Sequence, residues 1–411
     1  KPRLAILKQG FDPEPTMKGA AFARRLSELG FDIEVVTGFP NYPTGKIYEG
    51  YRVRLISRTT MRDVPVTRLA LYPSHDKSRI GRLLNYGSFF ISATIYLTLF
   101  ARRADVIYAY HPPLTVAMAA HVAGLFRRTP VVLDVQDMWP DTLRATGMIS
   151  SDRLLRIIGR LCNWTWRHAA HIVVLSNGFR RLLIKRGIPE ERLTVIPNWA
   201  DETGVAALDS TPLPPVFTEP GKFRVLFAGN MGPAQALDAV LDAAVILAKK
   251  RPEAEILFLG SGLEADRLKR RADDESIGNV HFLARVPMTD VGAYLAAADC
   301  LLVHLKADPL FAITIPSKTQ AYMAAGKPII MAVKGDAAEM VAESDGGIVV
   351  PPENAQALAD AVAELAALDP HKLAMMGSNA RRFYQTHLSF EEGTRNLAKI
   401  LKSVSGEGRE V

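Results

Sequence analysis

The stretch IPSKTQAYMAAGKPII, residues 315–330, combines a hydroxyl group and an ammonium group at the predicted start of a helix. It follows an apolar strand, so the unpaired amides of the first helical turn would point towards whatever lies beyond that strand's carboxyl end. We expect Ser317 to cap the helix, and Lys318 adds a positive charge that suits a phosphate group. The pattern therefore indicates an anion site. A capped helix with an exposed lysine would have the same sequence.

A second candidate for phosphate binding is AGNMGPAQALDAV, residues 228–240. Gly229 and Gly232 would let the backbone approach a ligand closely where a strand passes into a helix. The spacing is not that of the dinucleotide-binding fingerprint, since no third glycine follows in register. A plain strand-to-helix turn is an equally good interpretation. The stretch FLGSGLEADRL, residues 258–268, has the same geometry and more simply turns the chain.

Carboxylates and a histidine follow strands in the first half of the chain. The segment VVLDVQDMWPDTL, residues 131–143, places Asp134, Asp137 and Asp141 at and just past the end of a strand. A carboxylate in that position could take a proton from an acceptor hydroxyl, whereas helix capping or pairing with a nearby arginine is the structural alternative. His111 also follows a strand and precedes two prolines, where it could bind a substrate or simply hold a rigid loop by hydrogen bonds.

Two loops lie where α/β enzymes build substrate sites, after the first and second predicted strands. They are QGFDPEPTMKG, residues 9–19, and FPNYPTGKIYEGY, residues 39–51. We predict that Glu14, Lys18 and Tyr42 of these loops take part in binding a substrate. Ordinary variation of surface loops would explain the same composition without any function.

Apolar, β-branched runs alternate with helical stretches throughout the chain, which is typical of βαβ units with a parallel sheet. The pattern restarts after a proline-rich stretch, residues 209–222, which we interpret as a linker. The sequence therefore predicts an α/β protein with two doubly wound parallel-sheet domains and a ligand in a cleft at the carboxyl ends of their strands. The predicted strands are 4–7, 32–38, 53–58, 66–71, 105–110, 130–135 and 171–176 in the first half, and 223–230, 255–262, 280–286, 300–306, 328–333 and 346–352 in the second. The helices predicted in the second half include 237–250 and 354–366.

Composition limits the classes of function. The chain has 411 residues, 48% of them hydrophobic, which suits two folded domains, and its net charge of +7 suits anionic partners. Its two cysteines, Cys162 and Cys300, lie in apolar surroundings, so we expect buried thiols and a reducing cytoplasm. The basic residues are scattered and lack an aromatic-basic module, so nucleic-acid binding is not expected. No Cys/His spacing predicts a metal site.

One long apolar stretch, residues 78–103, carries arginines at its ends and no acidic residue. Its glycines and hydroxyl residues weaken it as a membrane span. We predict an interfacial helix that lets the protein rest on an anionic membrane, and a buried domain helix is the alternative.

Five motifs together resemble the retaining glycosyltransferases of family 4, which have the two-domain GT-B fold. The motifs are FPNYPTGKIYEGY, DVQDMWPD, VLSNGFRRLLIKRGIPEERLTVIPNWAD, GNMGPAQALDAVLDAA and IPSKTQAYMAAGKPI. They are similar to bacterial enzymes that build surface polysaccharides and O-antigens. The resemblance implies transfer of a sugar, with retention, from a nucleotide-diphosphate donor, most simply a UDP-sugar, without a metal or other cofactor. The PSK variant resembles a subgroup that transfers amino sugars, so an N-acetylated amino sugar is the implied cargo.

The resemblance also implies how the chain is divided and where each substrate binds. Residues 1–205 would form the acceptor domain, residues 206–385 the donor domain, and residues 386–411 a helix that packs back on the first domain. The acceptor would be a glycan or a polyprenyl-linked glycan, bound by Glu14, Lys18, Tyr42 and His111. The donor site implied by the resemblance consists of Gly229, Asn230, Gly232, Gln235, Arg285, Ser317, Lys318 and Glu339. The enzyme would work in the cytoplasm, at the inner face of the plasma membrane.

The chain departs from the family pattern in its charged residues. Asn230 and Gln235 stand where the family has an arginine and a lysine, and Ile313 and Ala321 stand where it has two glutamates. We expect Lys318 to supply the lost positive charge at the donor's diphosphate. Asp137 stands where many members have a histidine, so Asp137 and Lys318 are the catalytic candidates, with the leaving diphosphate itself helping to deprotonate the acceptor. The alternatives are a sugar-nucleotide epimerase on the same fold and a non-catalytic nucleotide-sugar-binding scaffold.

Overall fold

The computed structural model describes residues 1–74, 79–145, 148–206 and 212–406, and its chain divides into two compact units. Unit 1 comprises Lys1–Ile196 together with the segment that starts at Thr394, and unit 2 comprises Pro197–Gly393. Of the proline-rich stretch, residues 209–211 lie outside the described part. The rest of that stretch belongs to unit 2, where the Phe217 ring packs edge-on against Tyr294 at 5.5 Å.

Unit 1 contains an eight-stranded sheet with the strand order β3-β4-β2-β1-β5-β6-β7-β8. Its central strands are buried on both faces, as expected for a sheet covered by helices on either side. All neighbouring pairs are parallel except β3 with β4. The strands are β1 (Arg3–Leu7), β2 (Asp32–Gly38), β3 (Ile56–Met61), β4 (Val64–Leu69), β5 (Val106–His111), β6 (Val131–Val135), β7 (His171–Val174) and β8 (Leu193–Val195).

The edge of this sheet corrects one expectation. The strands predicted at 53–58 and 66–71 as parts of a parallel sheet are β3 and β4, which form an antiparallel hairpin. Only Arg62 and Asp63 join them, both with positive φ (46° and 64°). Two residues with left-handed backbones make a tight hairpin turn, and they are too few for the crossover that parallel strands need.

The helices of unit 1 begin at residues of several types, including Gly19 and Pro113 as well as serine. Ser151 and Ser176 cap two of them by accepting hydrogen bonds from the amides of Leu154 (3.4 Å) and Phe179 (3.1 Å). The helices are α1 (Ala20–Glu28), α2 (Arg79–Ile95), which continues as a π-helical turn (Tyr96–Phe100), α3 (Leu114–Arg127), α4 (Asp141–Ala145), α5 (Asp152–His168) and α6 (Asn177–Lys185), and a 3₁₀ turn spans Glu190–Arg192.

Unit 2 contains a six-stranded sheet that is parallel throughout, with the order β11-β10-β9-β12-β13-β14. In its register Gly229 of β9 lies opposite Gly260 of β10, so the two predicted glycine loops are neighbours. The strands are β9 (Phe223–Asn230), β10 (Ala254–Ser261), β11 (Val280–Leu283), β12 (Cys300–His304), β13 (Ile329–Ala332) and β14 (Gly347–Val349).

Helices cover both faces of this sheet. Asn354 caps the helix predicted at 354–366 by accepting a hydrogen bond from Ala357 (2.9 Å), so the helix itself begins at Ala355. The helices are α7 (Glu202–Ala206), α8 (Asp238–Lys250), α9 (Ala265–Asp274), α10 (Val291–Ala297), α11 (Pro309–Ala312), α12 (Ser317–Ala325), α13 (Asp336–Glu343), α14 (Ala355–Ala367), α15 (Pro370–Phe383) and a π-helical turn (Tyr384–Leu388), with 3₁₀ turns at Pro215–Phe217 and Pro233–Gln235. The last helix, α16 (Phe390–Ser405), starts in unit 2 and belongs to unit 1 from Thr394 onward.

The predicted architecture of two doubly wound α/β domains is thus confirmed. Both cysteines are buried and free, as expected. The remaining differences are strand bounds, which are shifted by one to three residues, and the strand β8, which the apolar runs did not predict.

Candidate functional site

Lys318 occupies the first turn of α12, and its ammonium faces the end of β9. The Nζ atom lies 3.3 Å from the centre of the Phe227 ring, and a carbon added to Gly229 would lie 3.1 Å from it. That nitrogen is buried and has no hydrogen-bond partner among the described residues. Burial lowers the pKa of Lys318 to about 7. The alternative interpretation, a capped helix with an exposed lysine, is therefore wrong.

Ser317 does not cap α12, which corrects the prediction. Pro316 holds the cap position in an extended conformation (φ −61°, ψ 135°), and no side chain caps the helix. Because proline has no N–H group and fixes its own φ, it can stand just before the first helical residue. Ser317 is then the first residue of the helix, and its exposed side chain lies at the helix entrance beside Lys318.

Tyr322 fixes α12 to β9. Its hydroxyl accepts a hydrogen bond from the amide of Ala228 (2.8 Å) and donates one to the carbonyl of the same residue (3.2 Å). Residues four apart share one face of a helix, so Tyr322 and Lys318 both point at the end of β9. Sequence reasoning missed this tyrosine, although the K-x-x-x-Y spacing was a signal that could have found it.

The loop after β9 is held by its own side chains. Gln235 Oε1 accepts a hydrogen bond from the amide of Gly232 (2.9 Å) and lies 3.4 Å from the Asn230 amide nitrogen. Gly229 has φ +137°, a conformation that side chains rarely adopt. Gln235 was predicted to contact the donor, and in the structure its amide oxygen shapes the turn while Asn230 stays exposed.

The GSG turn of β10 is required by this loop. A carbon added to Gly260 would lie 2.1 Å from the carbonyl oxygen of Gly229, which no side chain tolerates. The Met231 amide donates to the carbonyl of Ser261 (2.8 Å), and the Glu264 amide donates to the carbonyl of Met231 (2.9 Å). The turn that seemed only to reverse the chain therefore supports the Gly229 loop.

His304 ties the same loop to the segment that follows β14, and sequence reasoning missed it as well. The histidine is 1% exposed at the end of β12. Its Nδ1 lies 2.7 Å from the carbonyl of Gln235, and its Nε2 lies 3.2 Å from the amide of Glu353. A carbonyl can only accept, so Nδ1 carries the proton and Nε2 accepts from Glu353. Burial lowers the pKa of His304, which favours this neutral form.

Arg285 and Glu339, the other two predicted donor residues, lie past the ends of β11 and β13. Arg285 follows β11 by two residues, and Glu339 is in the first turn of α13. Both side chains are exposed. They therefore lie on the carboxyl side of the unit 2 sheet, as Lys318 does.

In unit 1, Lys18 is buried in an ion pair with Asp134. Both side chains are almost fully buried (2% and 0% exposed). Asp134 also accepts hydrogen bonds from the Tyr108 hydroxyl and from the Gln136 amide (2.5 Å). Lys18 thus lies beneath the surface of the predicted acceptor region and is satisfied by a carboxylate of β6.

Glu14 organises the loop at 39–51. One carboxylate oxygen accepts hydrogen bonds from the amides of Asn41 (2.6 Å) and Tyr42 (2.7 Å), and the other accepts from Phe11 (3.2 Å). Tyr42 itself is 47% exposed. Of these two predicted acceptor residues, the structure exposes the tyrosine and uses the glutamate to shape its loop.

His111 lies at the end of β5, fully buried. Neither ring nitrogen has a hydrogen-bond partner within the described ranges, and the ring meets Trp139 edge-on at 5.8 Å. Burial lowers the pKa of His111 to about 4, so the ring is neutral at physiological pH. The expectation that it holds the loop by hydrogen bonds is wrong.

Asp137 is half-buried just past β6. Its carboxylate accepts a hydrogen bond from the Thr142 hydroxyl (2.5 Å), and burial raises its pKa. Asp141, the neighbouring candidate, instead pairs with Arg186 (2.5 Å). Within the described part of the chain, no group of three or more His, Cys, Asp or Glu side chains could hold a metal ion.

Two family comparisons match almost the whole chain. The family described as "Glycosyl transferase 4-like domain" matches residues 20–199, and the family described as "Glycosyl transferases group 1" matches residues 214–383. The "Probable glycosyltransferase WbjE" of Pseudomonas aeruginosa is 27% identical over 82% of this chain and 84% of its own length. WcaI of Escherichia coli (strain K12), assigned to colanic acid biosynthesis as a glycosyl transferase, is 26% identical over 90% of this chain and 93% of its own length.

A solved structure supports the same assignment at the level of the fold. HepE from Anabaena, crystallised with UDP and glucose, has a TM-score of 0.66 to this chain at 19% identity, covering 98% of this chain and all of its own. That likeness shows the two-domain GT-B fold. With both of its halves matched by glycosyltransferase families and its full-length relatives named as glycosyltransferases, the chain belongs to the group 1, family 4 glycosyltransferases.

Proposed function

We propose that the enzyme transfers a sugar, with retention of configuration, from a UDP-sugar to a glycan or polyprenyl-linked acceptor during the synthesis of a surface polysaccharide. The observation that carries this proposal is the buried ammonium of Lys318 beside Gly229, for which the described part of the chain offers no hydrogen-bond partner. The complex of HepE with UDP and glucose and the colanic acid assignment of WcaI support the choice of donor and product.

The donor's diphosphate binds between the Gly229 loop and the start of α12. The amides of the first helical turn have no partner within the helix, and they favour negative charge there. Lys318 adds a full positive charge at the same place. In this arrangement one lysine on α12 replaces the arginine and lysine that the family carries at the positions of Asn230 and Gln235.

An unpaired buried amine is costly to the folded protein. A buried polar group without a partner costs about 1–3 kcal/mol, and more if it is charged. Contact with the Phe227 ring recovers part of that cost when the amine is protonated. A methionine would fill the same space without the penalty, so the lysine is best explained by a ligand that supplies negative charge.

Catalysis follows from the same contacts. Charge develops on the departing diphosphate in the transition state, and Lys318 with the helix amides stabilises it. The leaving phosphate helps to take the proton from the acceptor hydroxyl. Asp137, whose pKa is raised by burial, is our candidate for assisting that proton transfer.

The remaining substrate contacts are assigned by position. Glu339 binds the ribose hydroxyls, and Arg285 with its neighbours lies against the base. In unit 1, the exposed Tyr42 contacts the acceptor, while Glu14 and Lys18 hold the loops that present it and the buried His111 supports this region from below. The PSK sequence of α12 favours an N-acetylated amino sugar as the transferred group.

A polyprenyl-linked acceptor places the enzyme on the inner face of the plasma membrane. Ser78, the first residue of the predicted interfacial stretch, lies outside the described residues. The rest forms α2 and its π-helical turn, which leave Ile80, Ile91 and Ile95 exposed (71%, 57% and 47%). By length and composition alone, Ile80–Phe100 is long and apolar enough to cross a membrane. Because only part of it is buried in unit 1, we propose that it contacts the membrane surface.

A nucleotide panel tests the donor assignment. We expect UDP and one UDP-sugar to raise the melting temperature of the wild-type enzyme, and ADP and GDP to have little effect. The Lys318→Ala variant should lose this response. The Lys327→Ala variant is the matched control, because Lys327 follows the opposite end of α12 and its pKa is also lowered by burial. An equal response in the Lys318→Ala variant would remove Lys318 from the donor site.

Product analysis separates transfer from isomerisation. With the stabilising UDP-sugar and a lipid extract as acceptor, we expect label from the sugar in the lipid fraction together with free UDP. Conversion of the sugar nucleotide to an isomer without any acceptor would instead identify an epimerase.

A further inference from the structure

Four exposed apolar side chains meet at one end of two neighbouring helices of unit 1. They are Leu99, Phe100, Leu125 and Phe126, with exposed fractions of 67%, 59%, 63% and 74%, and we call them the apolar tip. Leu99 and Phe100 end the π-helical turn after α2, and Leu125 and Phe126 lie in the last turn of α3. Large side chains this exposed are unusual when they occur together on a surface.

Arg127 joins the two halves of the apolar tip. Its guanidinium donates hydrogen bonds from α3 to the carbonyls of Thr98 (2.6 Å) and Ala101 (3.1 Å), which flank Leu99 and Phe100. These carbonyls end a helical segment and have no helical partner of their own. The bonds hold the ends of both helices at one place, so the tip is a fixed part of unit 1.

Basic side chains outnumber acidic ones around the apolar tip. Arg102, Arg103 and Arg128 are exposed beside it, and none forms an ion pair within the described ranges. Neither α2, the π-helical turn nor α3 contains an aspartate or glutamate. Three carboxylates lie near the tip. Asp105 accepts a hydrogen bond from the amide of Arg3 (2.7 Å), and Asp32 and Glu34 line a cavity with Phe100 and Arg102. Asp32 pairs with Arg3 (3.6 Å), and Glu34 accepts a hydrogen bond from the Tyr96 hydroxyl (2.6 Å).

The opposite face of α2 belongs to the domain. Phe89, Ala93, Tyr96 and Leu97 are buried in unit 1, at 0–4% exposure. A helix with one face packed in a folded domain cannot be surrounded by lipid on all sides. The exposed face and the apolar tip can still enter the boundary between head groups and acyl chains, which takes apolar side chains flanked by arginine.

We infer that the apolar tip and its arginines form the element that inserts into an anionic phospholipid surface. Leu99, Phe100, Leu125 and Phe126 enter the acyl boundary, and Arg102, Arg103 and Arg128 contact lipid phosphates. The inference rests on the membrane location proposed for the enzyme and is independent of its donor site, which lies in unit 2.

Vesicle sedimentation tests the inference with the full-length protein. Wild-type protein should sediment with vesicles of phosphatidylglycerol and phosphatidylcholine in equal amounts, and far less with phosphatidylcholine alone. The Leu99→Ser/Phe126→Ser double variant should bind the mixed vesicles at least about tenfold more weakly, because two large apolar side chains no longer leave water. The matched control is Leu263→Ser, which removes an 89% exposed leucine of unit 2 and should bind as wild type does.

Two double variants that each remove two positive charges test the role of the arginines separately. Arg102→Gln/Arg103→Gln should weaken binding to the mixed vesicles about tenfold or more. Lys249→Gln/Lys269→Gln removes the same charge from exposed residues of unit 2 and should change binding little. All variants should keep the wild-type rise in melting temperature with UDP, which shows that they fold and that the donor site is intact. Equal vesicle binding by the tip variants and wild type, or no binding by wild type, would overturn the inference and leave the proposed donor site untouched.

Discussion

Lys318 and Lys327 lie at the two ends of one helix and differ in what surrounds them. Burial lowers the pKa of both amines. Lys327 has Asp299 nearby, whereas the Lys318 ammonium faces Gly229 and the Phe227 ring. Burial is the one influence on the Lys318 pKa found among the described residues, with no carboxylate beside it, and this lysine lies at the glycine loop, which is why we assign the diphosphate to it.

Replacing Lys318 with methionine should weaken UDP binding and strengthen the fold at the same time. We expect affinity to fall at least about tenfold, because a charge-assisted hydrogen bond to phosphate is lost. The free energy of unfolding should rise by about 1–3 kcal/mol, because a buried group without a partner is removed. Calorimetric titration and urea unfolding measure the two effects. A variant that is less stable and binds UDP normally would contradict the assignment.

The pH dependence of UDP binding should report the Lys318 amine. Its pKa of about 7 lies below the ordinary 10.5, so raising the pH above 7 removes the ammonium before UDP binds. We expect affinity to fall as the pH rises from 7 to 9 in wild type and to change less in Lys318→Met. Titrations in buffers of different ionisation enthalpy should show proton uptake on binding.

The lowered pKa of Lys318 also makes the stability of the folded protein depend on pH. Between about pH 7 and 10.5 the unfolded chain holds a proton on Lys318 that the folded chain does not. The wild-type free energy of unfolding should therefore rise with pH across this window more steeply than that of the Lys318→Met variant. Parallel curves for the two proteins would show that Lys318 keeps its proton in the folded state.

At the scale of elements, α12 and the loop after β9 depend on two residues that the motifs did not identify. Tyr322 bonds both backbone groups of Ala228, and His304 bonds the loop at Gln235. Both are buried polar groups. Their partners are backbone groups distant in sequence, so neither bond follows from local sequence patterns.

Removing the Tyr322 hydroxyl should weaken the attachment of α12 to β9 without leaving a cavity in the core. Tyr322→Phe keeps the ring and leaves the amide and carbonyl of Ala228 without their partner. We expect about 1–3 kcal/mol lower stability and weaker UDP binding. The control is Tyr294→Phe in the same unit, a buried tyrosine for which we expect little change in UDP affinity. Unchanged UDP affinity in Tyr322→Phe would mean that α12 is held by other contacts.

His304 should act as a positioning residue that needs its neutral form. His304→Leu loses two hydrogen bonds to the loops, so we expect the donor KM to rise about tenfold with a smaller change in kcat. His304→Gln should recover part of the loss, because its amide can both donate and accept. The groups facing His304 are Lys318 and Glu353. In wild type alone, kcat/KM for the donor should fall at acid pH. Protonation of His304 Nε2 removes the acceptor of the hydrogen bond from the backbone amide of Glu353. If kcat/KM of His304→Gln falls at acid pH as it does in wild type, the fall belongs to the protonation of another group.

The repeated apolar runs were enough to predict every strand of both sheets except the short edge strand β8, because buried parallel strands are continuous β-branched segments. They could not predict the β3–β4 hairpin, since apolar residues alone do not distinguish a strand that follows a crossover from one that follows a tight turn. Arg62 and Asp63 lack the glycine that usually announces such a turn. Ser317 was misassigned because capping preference outweighed the effect of Pro316.

The candidate site was predictable in part. Motifs located Lys318 and the glycine loop, and the structure places them together. The same reasoning gave Gln235 and Glu14 the role of ligand contacts, whereas their oxygens accept backbone hydrogen bonds within the protein. A polar residue in a loop does not reveal whether its partner will be a ligand or the loop itself.

On the scale of the whole molecule, the chain returns to unit 1 after completing unit 2. From Thr394 onward α16 belongs to unit 1, with Leu397 and Leu401 buried (3% and 0% exposed). Unit 1 is therefore assembled from the two ends of the chain. Its last helical segment becomes available only after unit 2 has been synthesised.

A cavity in this segment should destabilise unit 1 selectively. Leu401→Ala should lower the free energy of unfolding of unit 1 by about 2–5 kcal/mol, because the space left by the side chain is not refilled. The stabilisation by UDP, assigned to unit 2, should persist. Differential scanning calorimetry with and without UDP measures both effects, and an unchanged free energy of unfolding in Leu401→Ala would contradict the prediction.

A crystal structure of the enzyme with UDP tests the central claim most directly. We expect a diphosphate oxygen within about 2.7–3.2 Å of Lys318 Nζ, with the first amides of α12 and the Gly229 loop around the same group. A well-defined UDP whose phosphates lie away from Lys318, with the ammonium still unpartnered beside Gly229, would contradict the account.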